Sequence, residues 1–202
     1  MTAPAIDRLH LSPDAADLLF REARTANAFT DEPVTDDHVR AIYDLAKYAP
    51  TAMNQQPLRL VLVRSEEARA RLVGHMAPGN RDKTAAAPLV AIVAADTRFH
   101  DELPRVFPHA PGARELFADP HARENSARFN AAIQLGFLIL AIRAAGLAAG
   151  PMGGYDAAGI NADFFPDGEH RVVAVVNIGR PAADAWRDRL PRLAYDEVVT
   201  TV

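Results

Sequence analysis

Cysteine is absent from this chain. That excludes disulfides, thiolate metal sites and a cysteine nucleophile. Serine is almost absent as well: Ser12, Ser65 and Ser126 are all there is, and none sits in a Gly-x-Ser-x-Gly elbow, so serine hydrolysis has no nucleophile to use. No P-loop and no strand–GxGxxG–helix unit occurs, which removes the P-loop NTPases and the Rossmann dinucleotide fold. The seven histidines contain no HExxH pair. His121-x-x-Glu124 is the nearest approach to a metal spacing and reads better as the solvated start of a helix, so no metal site is expected. Positive charge is not concentrated anywhere: 22 Lys and Arg stand against 26 Asp and Glu, a formal net charge of −4, and nucleic acid is not an expected partner. Met1 to Leu11 lack a charged n-region followed by an apolar h-region, so no secretory signal is expected and the chain reads as a cytoplasmic protein.

What the chain does have is one long apolar run, Ala131 to Ala149, followed by Gly150-Pro-Met-Gly-Gly-Tyr-Asp156. Gln134 and Arg143 lie inside the run and no aromatic belt or positive cluster flanks it, which argues against a membrane span. A soluble chain hides such a helix at its centre or in a dimer interface. The helix is expected to begin near His121 and to stop at Gly150-Pro151. Gly153-Gly154 would then form a bare backbone loop able to approach something flat.

In chain order, residues 1–12 read as an arm. Ser12 and Pro13 open a helix to about Arg24, and Thr35 caps a second one with Val39, Ile42, Tyr43 and Ala46 as its apolar stripe. The loop from Ala49 to Pro57 leads to a strand over 59–63. Ser65 caps a third helix to about Met76, broken by Pro78-Gly79, and 89–95 form a strand covered on both faces. Residues 97–121, rich in proline, histidine and aromatics, have no clear period and are expected to form a lid or substrate loop. A short helix over 157–164, a strand over 171–179 and a C-terminal extension over 181–202 complete one domain, 1–202. The fold class expected is α+β, a small central mixed sheet flanked by helices.

No acid, base or nucleophile stands out among the polar loops, a pattern that suits a cofactor-driven reaction. Arg24-Thr-Ala-Asn-Ala-Phe-Thr-Asp-Glu-Pro-Val34, Ala49-Pro-Thr-Ala-Met-Asn-Gln-Gln-Pro57, Gly79-Asn-Arg-Asp-Lys83 and Gly150-Pro-Met-Gly-Gly-Tyr-Asp156, in that order and with a terminal Arg-x-Arg-Leu-Pro, resemble the FMN-dependent nitroreductase family. The resemblance runs from about residue 16 to the end and implies a homodimer with FMN in each interface and NADH or NADPH as reductant. It implies that Arg24, Thr25 and Asn27 hold the FMN phosphate, with Arg187 and Arg189 matching the family's distal basic pair. The family often has basic residues where Ala23 and Asn27 stand, so the clamp here is thinner. It further implies that Pro50, Thr51, Ala52 and Asn54 meet the flavin ring from the partner subunit, and that Asn80 and Lys83 touch its pyrimidine and ribityl side. Pro151, Met152, Gly153 and Gly154 would lie along the ring, the Gly153 N–H aimed at flavin N5, where many relatives carry Glu. Asn130 and Gln134, four apart on one helix face, are read either as cavity lining or as satisfied interface groups.

Within the family, Leu103-Pro-Arg-Val-Phe-Pro-His109, the 150–156 loop and Arg189-Leu-Pro-Arg-Leu193 are most similar to the malonic semialdehyde reductases. That subgroup implies an aldehyde substrate bearing a carboxylate, for which His109 is favoured as the cation, ahead of Arg105 and Arg128. The competing readings are a broad nitro or quinone reductase, with Phe99, Phe107 and Phe117 as the apolar lining, and a flavin-binding protein without turnover.

Overall fold

The structure, a computed structural model, describes residues 9–202; the expected arm lies mostly outside these. Ser12 does cap the first helix, α1 (Pro13–Ala16), by accepting from the Ala15 N–H at 3.2 Å, and a wide π turn over Asp17–Arg21 continues it. Thr35 caps α2 (Asp36–Ala46) in a reciprocal pair with His38, whose ring nitrogen faces the Thr35 N–H at 3.2 Å. Ile42 and Ala46 are buried as expected. Tyr43 is not: half of it is exposed, along with Leu45.

Four strands form one sheet in the order β1 (Leu58–Val63), β2 (Leu89–Asp96), β4 (His170–Gly179), β3 (Ala148–Met152). Every pairing is antiparallel, so the sheet is not the mixed one expected. The long apolar run also adds an unexpected strand to it. Its helix, α6 (Pro120–Ala144), ends earlier than Gly150-Pro151, turning at Gly146 with φ +75°. Residues 148–152 are then free to pair with β4, and Pro151 is tolerated because β3 is an edge strand. What read as helix end and loop is a fourth strand.

β2 is buried along its whole length and serves both layers. Leu89, Ala91 and Val93 face α2 and α6 through Ile42, Ala46, Leu138 and Ile142. Val90, Ile92 and Ala94 face the opposite layer, with Leu72 of α3 (Glu66–His75) and Ile160 of α7 (Ala157–Phe164). A bulge at Val93/Ala94 inserts Val173 into β4 and keeps both faces in phase. Pro78-Gly79 ends α3 but opens another helix, α4 (Pro78–Ala86), with Pro78 in its first turn. Asn80 and Lys83 therefore lie on a helix.

Residues 97–121 also differ from the loose lid expected. They fold into two 3₁₀ turns around α5 (Leu103–Val106), with a core of their own built on Phe99, Leu103 and Ala113 against Ala127 and Ala131 of α6. Phe99 is fully buried and meets Phe117 edge-on at 4.9 Å. Burying such a ring contributes about 2–3 kcal/mol, enough to hold a short irregular segment in place. In the tail, Tyr195 begins a short helix, α8 (Tyr195–Val198), instead of continuing extended chain. Among the described residues, α6 alone is long and apolar enough to cross a membrane. Its inner face packs on the sheet; Phe129 and Phe137 on its outer face are 68% and 38% exposed.

Candidate functional site

The residues singled out by sequence fall into two groups at opposite edges of the sheet. The first gathers along β3. The Ala26 N–H donates to the Ala149 carbonyl at 3.1 Å, and a side chain on Gly150 would meet the Ala26 oxygen at 2.7 Å, so this glycine is what lets the first loop close onto the strand. The tail joins from the other side: the Asn27 N–H donates to Ala185 O at 3.0 Å, Arg24 donates to Arg187 O at 3.4 Å, and the Arg24 guanidinium lies over Trp186 at 5.6 Å. Arg189 donates to the carbonyls of Arg21 and Ala23. A cleft of about 290 Å³ opens between these segments, lined by Arg24, Thr25, Asn27, Arg187, Arg189 and Arg192. A neighbouring lobe of about 200 Å³ shares Arg24, Thr25 and Arg192 and reaches Pro151 and Arg143. The Arg24 Nε is buried without a hydrogen-bond partner among the described residues. Four to five guanidinium groups around one small space, with Glu22 and Asp188 as the nearby carboxylates, describe a receptor for an anion.

At the other end of β3 stands α4. Asn80 donates to the Gly154 carbonyl at 2.9 Å, and a methyl group on Gly154 would come within 2.8 Å of that amide. The Lys83 carbonyl accepts from buried Asn177 at 3.0 Å, and Thr84 donates to the Met152 sulfur at 3.7 Å. Arg69 holds this helix in place by donating to the carbonyls of Val63, Thr84, Ala85 and Ala87, and burial pushes its pKa down. Gly153 is exposed, and nothing lies within 4 Å of where its side chain would be. Arg24, Thr25, Asn27, Arg187, Arg189, Pro151, Met152, Gly153, Gly154, Asn80 and Lys83 thus follow one strand from end to end.

The second group does not join them. Pro50, Thr51, Ala52 and Asn54 precede β1, at the far edge. Asn130 accepts from the Ala52 N–H at 2.8 Å and donates to Gln55 at 3.1 Å, while Gln134 accepts from the Leu58 N–H at 2.9 Å. Both amides are buried and clamp the loop, and Gln134 also lines a cavity of about 200 Å³ with Gln55, Gln56 and Arg59. The clamp sustains positive φ at Met53, Asn54 and Gln56, which side chains rarely adopt. His109 belongs to this side as well. Asn54 donates to Val106 O at 2.8 Å, three residues before His109, which is exposed and tilted against Phe107 at 3.9 Å. Three interstrand spacings separate β1 from β3, roughly 14 Å, so one chain does not bring the two groups together.

Sequence reasoning missed Arg69, Gln55, Arg192 and Arg143. For Arg143 there was a signal, a charge inside an apolar run; the others are ordinary polar residues until their partners are known.

The fold and cleft define an α+β protein that presents an arginine-rich cleft along an edge strand. A sequence model described as "Nitroreductase family" matches residues 20–180, and the chain belongs to that family. It is 64% identical over 195 residues to a protein of Streptomyces coelicolor provisionally named NADH dehydrogenase/NAD(P)H nitroreductase, covering 96% of this chain and 99% of that one. A second Streptomyces coelicolor protein with the same provisional name is 48% identical, covering 92% and 93%. Among solved structures, a provisionally named nitroreductase from Exiguobacterium sibiricum, determined in complex with FMN, aligns with TM-score 0.84 at 20% identity over 95% of this chain and 98% of that one. An enone reductase of gut-bacterial fatty acid saturation aligns with TM-score 0.72 at 21% identity, over 92% and 95%.

Proposed function

We propose that this protein is an FMN-dependent NAD(P)H oxidoreductase that works as a homodimer. The observation that carries the reading is the anion receptor at the start of β3 placed in line with exposed, unobstructed Gly153 and with Asn80 and Lys83 at its other end. The buried, unpartnered Arg24 Nε and the guanidinium cluster fit the phosphate of FMN, and the open backbone at Gly153 fits a flat ring. Bound there, FMN would supply a two-electron carrier between NADH or NADPH and an acceptor. Arg24, Thr25, Asn27, Arg187 and Arg189 hold the phosphate. The Gly153 N–H donates toward the ring, and Lys83 supports negative charge on it. The loop Pro50–Asn54 and the cap carrying His109 lie too far away in the same chain, so they close the site of a second copy. The exposed outer face of α6, with Phe129 and Phe137, supports that pairing.

For the acceptor, malonic semialdehyde, reduced to 3-hydroxypropionate, remains the reading to test. Two observations favour it over the broad nitro or quinone reductase. Phe99, Phe107 and Phe117 all pack on the cap's own core, and of the three only Phe107 also touches His109. Arg105 is held by Glu102 through two contacts of 2.8 Å, which leaves His109 and Arg128 as cations for a substrate carboxylate. Arg128 is exposed, and its charge partly offsets the upward push of burial on the Tyr155 phenol, next to Gly154.

The purified protein is expected to be yellow and to bleach anaerobically with NADH or NADPH; a colourless protein that does not take up FMN ends this reading. Comparing kcat/KM for malonic semialdehyde, a nitrofuran and a benzoquinone then addresses the acceptor. The semialdehyde is expected to lead, with His109→Ala lowering its turnover. A semialdehyde slower than both others and indifferent to His109→Ala leaves only the oxidoreductase.

A further inference from the structure

Arg143 is a charge in the wrong place for a core helix. It lies in the last turn of α6, is 8% exposed, and is flanked in sequence by Ile142 and Ala144. Its Nε donates to the Leu18 carbonyl at 2.7 Å. Among the described residues no carboxylate pairs with it. The charges felt at Arg143 are Arg189, which opposes its own, and Glu22, which sits 3.8 Å from Arg24. Burial and Arg189 together push its pKa down. The Leu18 carbonyl and the carbonyl end of α6 offset part of burying its charge, but no anion does so in full. A partner is therefore called for, and the side chain points to where it binds: Arg143 lines the smaller lobe of the β3 cleft with Arg24, Thr25, Pro151 and Arg192.

We infer that Arg143 is the buried arm of the phosphate clamp, binding the FMN phosphate from the core helix in place of basic side chains missing at Ala23 and Asn27. The inference rests on the flavin reading above. It gives the clamp a floor as well as walls: Arg24 comes from the first loop, Arg187, Arg189 and Arg192 from the exposed tail, and Arg143 from the helix that packs on the sheet core. A group fixed by the core is pre-organised, so it loses little freedom on binding, whereas the tail must be ordered. The lobe that Arg143 lines begins beside Ala23, where the first loop is short of charge.

The test titrates flavin-stripped, full-length protein with FMN and, in parallel, with riboflavin, which has the same ring and no phosphate. In Arg143→Met, FMN affinity is expected to fall about 10–100-fold, the range for a lost charged hydrogen bond. Riboflavin affinity is expected to stay within about threefold of wild type. Equal losses for both flavins would mean that Arg143 only braces α6 against Leu18, and an unchanged FMN affinity would remove it from the site; either overturns the inference. Should Arg143→Met not fold, Arg143→Lys carries the test, since it keeps the cation but loses the planar fork. The preference for FMN over riboflavin is then expected to drop by about 3–10-fold, and an unchanged preference overturns the claim. Wild-type protein that takes up neither flavin ends the flavin reading and this inference together; wild-type uptake of FMN with no effect of Arg143 ends this inference alone.

Discussion

The two edges of the sheet are built on opposite principles. Before β1, a strained loop is held by side-chain amides: Asn130 bonds Gln55 and the Ala52 N–H, Gln134 bonds the Leu58 N–H, and a cavity of about 200 Å³ beside them is lined by Gln55, Gln56, Arg59 and Gln134. Along β3, guanidinium groups crowd a cleft, and among the described residues Arg24 keeps a buried nitrogen without a partner and Gly153 faces open space. The account is that each copy of the chain offers both edges, one to its own site and one to its neighbour's.

The comparison breaks most directly at Asn130. Asn130→Ala removes the acceptor of the Ala52 N–H and one donor to Gln55 in a buried network, and is expected to cost about 2–3 kcal/mol of stability, read by denaturant unfolding. A loss under about 0.5 kcal/mol would mean that water replaces the amide and that the loop is not clamped. On the β3 side the order of effects reverses. Arg189→Ala is expected to weaken FMN by about 1.5–3 kcal/mol in a titration while changing the stability of the flavin-free protein by less than about 0.5 kcal/mol. Unchanged FMN affinity takes Arg189 out of the clamp.

These two edges were not equally legible in the sequence. The motifs of the β3 side announced themselves as Arg24-Thr-Ala-Asn27 and Gly150-Pro-Met-Gly-Gly154, and the fold does collect them. Their secondary structure was misread because an apolar run does not reveal where helix gives way to strand when alanine dominates both, as in Ala144–Ala149; only pairing with β4 decides it. Tertiary packing also turned the proline-rich 97–121 stretch into a cap, since Phe99, Leu103 and Ala113 are covered by Ala127 and Ala131, further along α6. Local spacing carries no trace of that. The amide clamp was half visible: the Asn130 and Gln134 spacing was clear, but the partners lie more than seventy residues earlier.

A finer contrast lies within the glycine pair. Gly154→Ala must displace the Asn80 amide, 2.8 Å from the new methyl group, whereas Gly153→Ala meets nothing. The first is expected to cost about 1 kcal/mol in FMN binding or stability and the second less than about 0.5 kcal/mol in stability. Equal effects would show that Asn80 yields freely. The smallest effect concerns the cap. His100 is held below its usual pKa by burial first and then by the Arg123 guanidinium, with Asp101 opposing and Arg114 adding to the depression. A depressed folded pKa gives stability that is present above the unfolded value of about 6.5 and is lost as pH falls through the folded one. Wild-type Tm is therefore expected to decline as the solution is acidified from pH about 7 to 5, with a shallower decline in His100→Gln. Parallel curves would assign the acid sensitivity elsewhere.

The central claim is that a complete site needs the β3 edge of one chain and the β1 edge of another. Sedimentation of the flavin-loaded, yellow species tests it. The account predicts a single boundary at twice the 21.9 kDa mass of the chain, with flavin absorbance travelling with it. Flavin held by a species of 21.9 kDa would contradict it.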